Sequence, residues 1–451
     1  MKSKVYIYAV SAFLILTAMI ACSKFLDKKT SNGLSTPNSL KTLQALLDNS
    51  DVFNISVAPS YGEASADNYF ITDADYSKLS DQSKNAYRWA PVTYNYSNEW
   101  AKCYTTVYYA NLCLEALGKI PATPENRSDW EYIKGASLFH RAYAFLNLAW
   151  TFAKAYDKIT AATDLGIDLR LQSDYTVPSK RSSVAAVYSR ILEDLSEAIT
   201  YLPANTAHVL RPGKAAGMAL MARAYLSMRN YDSAFKYADE SLKLNPYLID
   251  YNAINNAVLP FAALAYTPEV LFYSTVYPGD VMPSKRVMID TILYRMYKTG
   301  DMRKILFFDP NGMYYNFKGT YSTNVGLVFS GITTAEMYLV KGECLVRMGK
   351  IKEGLDQLNT LLRKRGSPVI LAPEDVGTEA EALQIILEER RKELIMRGVR
   401  WSDIKRLNKE GAGILLQRLI NGALVTLPAN DNRYALPLPQ DILIRTGMEQ
   451  N

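Results

Sequence analysis

Two stretches of this chain combine aromatic rings with short polar side chains closely enough to hold a polyhydroxylated ligand. The first, within residues 61–98, contains Tyr61, Asp67, Asn68, Tyr69, Asp73, Tyr76, Tyr87, Arg88, Trp89 and Tyr94; the second is Tyr314-Tyr315-Asn316-Phe317. The C–H face of a pyranose packs on an aromatic ring, and its equatorial hydroxyls reach Asp, Asn or Arg at the rim. Stacking of a nucleic-acid base on an aromatic ring contributes about 1–3 kcal/mol. A sugar contact is expected to contribute no more than that, which puts a short ligand in roughly the micromolar range. The residues expected to touch ligand are Asp73, Tyr76, Arg88, Trp89, Tyr314 and Tyr315. A peptide would suit the same chemistry. Ordinary packing is the competing role for the rings, above all for Trp89, and Trp100, inside a helical pattern, is assigned to the core.

A third stretch, Glu389 to Arg406, is dense in charge and invites a catalytic assignment. Glu389 and Glu393 are four apart, on one helix face, with Arg390 beside them. Glycoside hydrolysis needs two carboxylates some 5–10 Å apart across a cleft, one with a raised pKa, and no motif here marks such a pair. These residues are therefore read as ion pairs tying the last helices to the rest of the fold. No catalytic residue is expected, and the chain is read as a binding protein and not an enzyme.

The thiols divide sharply. Cys22 follows Met19-Ile20-Ala21 at the end of an uncharged run from Val5, itself preceded by Lys2 and Lys4. A basic start, an apolar run and a small residue before the break make a secretory signal peptide. A cysteine directly after the break resembles a bacterial lipobox, in which the thiol is acylated, with palmitate for example, and becomes residue one. The alternative is a plain membrane-spanning anchor, but the run is slightly short of the ~20 residues a spanning helix needs, and Tyr6, Tyr8, Ser11 and Thr17 dilute it. Cys103 and Cys113 sit ten residues, about 15 Å, apart along one predicted helix, too far for a disulfide; Cys344 is the fourth. His140 and His208 lack partners at metal-ligand spacing. No metal and no cofactor are expected.

The elements that must position these residues are mainly helices. With 49% hydrophobic and 21% charged residues, the composition is that of a globular protein, and the 430 residues after Ala21 suffice for one large domain or two smaller ones. Tyrosine is in excess, 32 against 14 Phe, which fits half-buried packing and wet, concave surfaces. The net charge of +6 is scattered, with no sustained basic block, so no nucleic-acid partner is expected.

Along the chain, residues 1–21 read as the signal peptide and 22–35 as a lipidated, lysine-rich tether. Residues 36–98 hold a helix, opened by Thr36-Pro37 and carrying Leu40, Leu43, Leu46 and Leu47, and then the irregular ligand-face segment. Residues 99–246 form a helical scaffold, with helices predicted at 98–117, 128–156, 182–202 and 212–228.

From Gly213, Ala222, Tyr225, Ala234 and Pro246 fall at the spacings of a tetratricopeptide unit, a helix-turn-helix of about 34 residues. Small residues at these positions let two helices approach, Tyr225 fills the groove, and the proline closes the second helix. A shift of 120 residues finds a second copy: Gly342 for Ala222, Leu345 for Tyr225, Ile351 for Tyr231, Gly354 for Ala234 and Leu361 for Ser241. Residues 247–330 lose the pattern and read as an ordered, aromatic-rich insertion contributing to the ligand face. Residues 331–451 hold the second repeat and the charged region. The fold class is thus all-α dominated: a tetratricopeptide-like repeat scaffold with irregular loop and short-strand insertions that form a ligand-binding face.

The charged region also carries a family signal. Ile386-Leu387-Glu388-Glu389-Arg390-Arg391-Lys392-Glu393-Leu394 continues to Gly398-Val399-Arg400-Trp401-Ser402-Asp403-Ile404-Lys405-Arg406. It resembles the C-terminal signature of the RagB/SusD family, nutrient-binding outer-membrane lipoproteins of Bacteroidetes. That signature is a Glu-Arg-x-x-Glu helix, a Gly-x-Arg turn and a Trp-x-Asp-Leu-x-Arg helix. Cys22-Ser23-Lys24-Phe25-Leu26-Asp27, the helix residues Trp100, Tyr104 and Asn111, and Leu436-Pro437-Leu438-Pro439 with Gln450-Asn451 agree with it. The chain is short for the family, which implies trimmed insertions.

The resemblance implies a lipid-anchored outer-membrane protein, exposed at the cell surface, that captures a glycan and delivers it to a TonB-dependent transporter, whose barrel it caps as a hinged lid. A peptide-binding member of the family, or a repeat-scaffold lipoprotein binding only protein, is the alternative. Two departures stand out. Arg397 occupies the place of a usual glutamate, so an ion pair there is missing or reversed. Lys24, Lys28 and Lys29 outnumber Asp27 behind Cys22, so surface display rests on the family and not on the tether.

Overall fold

The protein is described from a computed structural model covering residues 37–451, except 96–97, 256–259, 262–263, 265, 278, 280–284, 323, 325 and 367–370. The expected signal peptide, Cys22, the tether and Thr36 lie outside the described residues.

Seventeen α-helices occur among the described residues. Helix α1 is Leu40–Leu47, α2 Ser50–Phe53, α3 Tyr61–Ser65, α4 Asp73–Tyr76, α5 Asp81–Tyr87, α6 Glu99–Leu117 and α7 Arg127–Phe152. Then come α8 Val184–Tyr201, α9 Lys214–Ser227, α10 Tyr231–Leu244, α11 Thr291–Met296 and α12 Arg303–Leu306. The last are α13 Thr334–Arg347, α14 Ile351–Lys364, α15 Glu379–Glu393, α16 Arg400–Asn408 and α17 Gln440–Thr446.

Helices α6 to α10 pack in sequence order, each on the next; α10 then packs on α13, and α13 on both α14 and α15. The row is continuous although residues 245–333 intervene between α10 and α13. Helix α7 is its centre, buried on nearly every side from Ile133 to Phe152.

The 120-residue repeat is reproduced in the backbone. Helices α9 and α13 begin and end 120 residues apart, as do α10 and α14. Even the turns correspond, with Arg229 at φ +61° and Gly349 at φ +74°, both left-handed. The close approach assigned to the small residues is present: a Cβ on Gly354 would lie 2.9 Å from the Gly342 carbonyl oxygen and 2.6 Å from Val346 Cγ2. In the first copy, the ring of Tyr225 stacks on Tyr237, centroids 5.7 Å apart.

Residues 50–95 are less irregular than their sequence suggests. Helices α2, α4 and α5 each start at a polar cap, Asn49, Thr72 and Ser80, whose side chain accepts a backbone N–H. They span four to seven residues, too few for a hydrophobic period to show. Helix α3 lacks a local cap; Glu99 of α6 supplies one, accepting from the backbone N–H groups of Ser60 (2.8 Å) and Tyr61 (3.1 Å).

Five two-stranded antiparallel sheets occur among the described residues. Strand β1 is Tyr69–Phe70, β2 Leu165–Asp168, β3 Arg181–Ser183, β4 Val270–Phe272, β5 Met288–Ile289, β6 Phe308–Asn311, β7 Tyr314–Phe317, β8 Ile332–Thr333, β9 Leu416–Ile420 and β10 Ala423–Leu427. The pairs are β1 with β5, β2 with β3, β4 with β8, β6 with β7 and β9 with β10. The β9–β10 hairpin turns on Asn421-Gly422, both at positive φ (49° and 77°), as a two-residue primed turn requires.

Cys103, Cys113 and Cys344 are free and buried. No helix among the described residues is long and apolar enough to cross a membrane, and no cluster of His, Cys, Asp and Glu there could hold a metal.

Candidate functional site

The charged signature builds the frame. Helices α15 and α16 meet at a turn through Gly398, φ +75°. Glu393 of α15 bridges Arg365 (2.9 Å) and Arg303 (3.2 Å), and Arg365 also reaches Glu269 (2.8 Å). From α16, Arg406 pairs with Glu343 of the second repeat (2.6 Å), and Asp403 with Arg390 (2.9 Å). These groups are almost wholly buried, so their ion pairs depend on being complete.

The same turn holds the N-terminal segment. Arg400 makes two hydrogen bonds to the Asp67 carboxylate, at 2.7 and 2.8 Å, and Arg391 adds a third cationic contact at 3.3 Å. Burial would raise the Asp67 carboxyl, but the two guanidinium groups outweigh it and hold it well below the usual range. Gly398 N–H donates to Glu63 at 3.0 Å, and Asn68 donates to the same carboxylate at 2.8 Å. Burial dominates at Glu63 and pushes it up to about 7. Glu99 is likewise pushed up to about 7 by burial. Raised carboxyls in a cleft would mark an acid catalyst, but both of these are buried and occupied in holding backbone N–H groups.

Arg397, expected to leave an ion pair missing or reversed, lies over the rings of Tyr321 (3.9 Å) and Phe329 (4.8 Å). A cation–π contact stands where the salt bridge would be.

On this frame, β1 pairs with β5, Tyr69 opposite Ile289 and Phe70 opposite Met288. Strand β7 packs beside β5. The two aromatic stretches picked from the sequence, more than 200 residues apart, therefore share one place. Phe70 and Tyr314 meet edge to face at 4.9 Å. Asn316 locks the hairpin down, donating to the Val287 carbonyl (2.7 Å) and the Lys285 carbonyl (3.1 Å).

The six expected contact residues separate. Tyr314 is half-exposed on the Phe70 side. Tyr315, its neighbour in a strand, points to the opposite face, where it stacks on Tyr294 with centroids 3.8 Å apart and planes within 14°. The two tyrosines cannot grip one sugar ring from one side. Asp73 is exposed, and its carboxylate accepts the Asn421 N–H at the tip of the β9–β10 hairpin (2.7 Å). Arg88 is exposed, with its guanidinium on Asn85 Oδ1 (2.8 Å).

Two of the six need correction. Trp89 is 4% exposed and donates its indole N–H to the Ser65 carbonyl (3.0 Å). Tyr76 is buried against Tyr87, centroids 5.9 Å apart. The reason is Arg418 of β9. Its guanidinium lies over the rings of Tyr87 (4.3 Å), Tyr69 (5.0 Å) and Trp89 (5.4 Å) and donates to the carbonyls of Tyr69 (2.6 Å) and Ala66. A cation from the C-terminal hairpin gathers these rings inward, so they are not open to a ligand in this conformation.

The sequence-based selection missed Phe70, Tyr294 and Lys304, whose ammonium lies 5.0 Å from the Tyr294 ring centroid. It also missed the β9–β10 hairpin, which the Asn421-Gly422 pair between two alternating runs could have revealed.

Comparison with known proteins agrees with this architecture. Residues 24–226 match a family model described as starch-binding associating with outer membrane, and residues 288–441 match the SusD family model. A SusD-like protein P38 from Formosa agariphila is 34% identical over 80 residues, 17% of this chain and only 16% of that relative's length. A putative sugar binding protein from Bacteroides vulgatus superposes with TM-score 0.76 at 20% identity, covering 93% of this chain and 99% of the other. A SusD superfamily protein from Bacteroides thetaiotaomicron gives 0.74 at 22% identity, over 92% and 99%. At these identities the structures show a shared fold.

Proposed function

The chain belongs to the RagB/SusD family, and on that premise we propose that it is an outer-membrane nutrient-binding lipoprotein that captures a glycan and passes it to a TonB-dependent transporter. The observation that carries the glycan reading is the meeting of half-exposed Phe70 and Tyr314, edge to face at 4.9 Å, where the pairing of β1 with β5 brings the two distant stretches together. The matched family description, starch-binding associating with outer membrane, points the same way. Acylation of Cys22 would supply the anchor, and one acyl chain alone binds a membrane only marginally, so at least two are needed for stable attachment. The exposed ends of the repeat helices would face the transporter.

Titration of the intact protein with neutral and acidic oligosaccharides and with oligopeptides tests the reading. At least one glycan should bind, and Tyr314→Ala should weaken that binding by about tenfold or more while leaving the thermal midpoint unchanged. Binding of peptides alone would move the assignment to the peptide-binding branch. A lack of either activity in correctly folded protein would leave a scaffold that binds only protein.

A further inference from the structure

The face of β7 opposite Tyr314 carries its own arrangement. Tyr315 and Tyr294 form a near-parallel stack at 3.8 Å, both rings are half-exposed, and the Lys304 ammonium lies 5.0 Å from the Tyr294 centroid. The Lys304 side chain makes no ion pair or hydrogen bond to any described residue. The carboxylates close to it in sequence are already engaged: Asp301 with Arg303 (2.7 Å) and Lys392 (3.5 Å), and Asp309 with Lys318 (2.7 Å). Asp290, at the start of α11, caps that helix and lies 3.8 Å from Arg391. The side chains of Arg295 and Lys298, on the same segment as Tyr294, are exposed and likewise make no ion pair or hydrogen bond to a described residue. A half-exposed aromatic stack is thus bordered by cations that no described residue neutralises.

We propose that the Tyr294–Tyr315 stack with Lys304 is a second sugar-binding subsite, selective for an anionic residue, a uronate or a sulfate ester. An outer face of the stack takes the C–H surface of the sugar, and Lys304 takes its acidic group. The two subsites lie on opposite faces of the β6–β7 hairpin, so a single monosaccharide cannot fill both and a longer chain must pass over the edge of the hairpin. This inference rests on the glycan-binding reading and sharpens it to an acidic polysaccharide.

Calorimetry on the full-length protein with three matched probes tests it: oligogalacturonate, the same oligomer methyl-esterified, and a sulfated galactan oligomer. The free acid or the sulfate ester should bind about tenfold tighter than the neutral ester, as expected for one charge-assisted contact. The preference should shrink on raising salt from about 0.05 to about 0.5 M. Lys304→Gln should abolish the preference while keeping neutral binding, Lys304→Arg should retain it, and Tyr315→Ala should weaken both acidic probes. Whether the uronate or the sulfate wins identifies the acidic group. Equal affinity for acid and ester, or a preference surviving Lys304→Gln, overturns the acidic subsite and leaves glycan binding standing. Failure of every oligosaccharide, neutral or acidic, to bind the folded protein overturns both.

Discussion

At the scale of residues, the chain uses the same side-chain types for opposite ends. Tyr314 and Tyr315 stay half-exposed, whereas Tyr69, Tyr87 and Trp89 are buried around Arg418, with Tyr76 packed behind Tyr87. Trp89→Ala should therefore cost about 3–5 kcal/mol of stability, read as a lower denaturation midpoint, with little change in ligand affinity for the protein that remains folded. The buried carboxyls give a pH signature. Glu63 and Glu99 are both pushed up to about 7 by burial, so between about pH 4.5 and 7 the native state binds more protons than the unfolded chain. Stability should then fall as pH rises through that window, by at most about 1.4 kcal/mol per pH unit for each group. Denaturant titrations across pH 4.5–7.5 should show a shallower fall in Glu99→Gln, which removes the titrating group and keeps one acceptor oxygen, for the Ser60 or the Tyr61 N–H. An unchanged slope would contradict the assignment. The tyrosine excess was legible in the composition, but which rings face out was not, because that depends on a guanidinium more than 300 residues away.

At the scale of elements, the α15–α16 signature acts as a clamp. It is one helix hairpin whose side chains reach the second repeat through Arg406, the insertion through Glu393 and the N-terminal segment through Arg400. Because Glu393, Arg303 and Arg365 are buried together, Glu393→Ala takes a shared carboxylate from two guanidinium groups, leaving Arg365 on Glu269 and Arg303 on Asp301 and Glu389, and should cost up to about 3 kcal/mol. Arg400→Ala should cost less, since the Asp67 carboxylate is about one-fifth exposed and keeps Arg391. Both variants should lower expression or thermal midpoint more than ligand affinity; normal stability with lost binding would instead place the signature in the site. The ion-pair role was readable from Glu389 and Glu393 on one helix face. Their partners were not, because Glu269, Arg303 and Glu343 carry no local pattern that points to them.

At the scale of the whole molecule, a regular helical row supports a face assembled from distant segments. The row survives an interruption of nearly ninety residues because α10 and α13 bury complementary surfaces directly against each other. The proposed anchor belongs to this scale as well. Cys22→Ser should abolish incorporation of labelled palmitate and move the protein from the membrane fraction to the soluble one; retention in the membrane fraction would favour an uncleaved spanning segment.

The sequence alone determined the repeat, its 120-residue offset, the boundaries of the long scaffold helices to within a few residues and the charged hairpin, because each follows from local periodicity, caps and turns. The tertiary structure alone decided that β1 meets β5, that Tyr314 and Tyr315 face opposite ways around a pinned hairpin, and that Trp89 is core. Those outcomes arise from pairings across hundreds of residues, where the energy lies in contacts between surfaces and no local pattern records it.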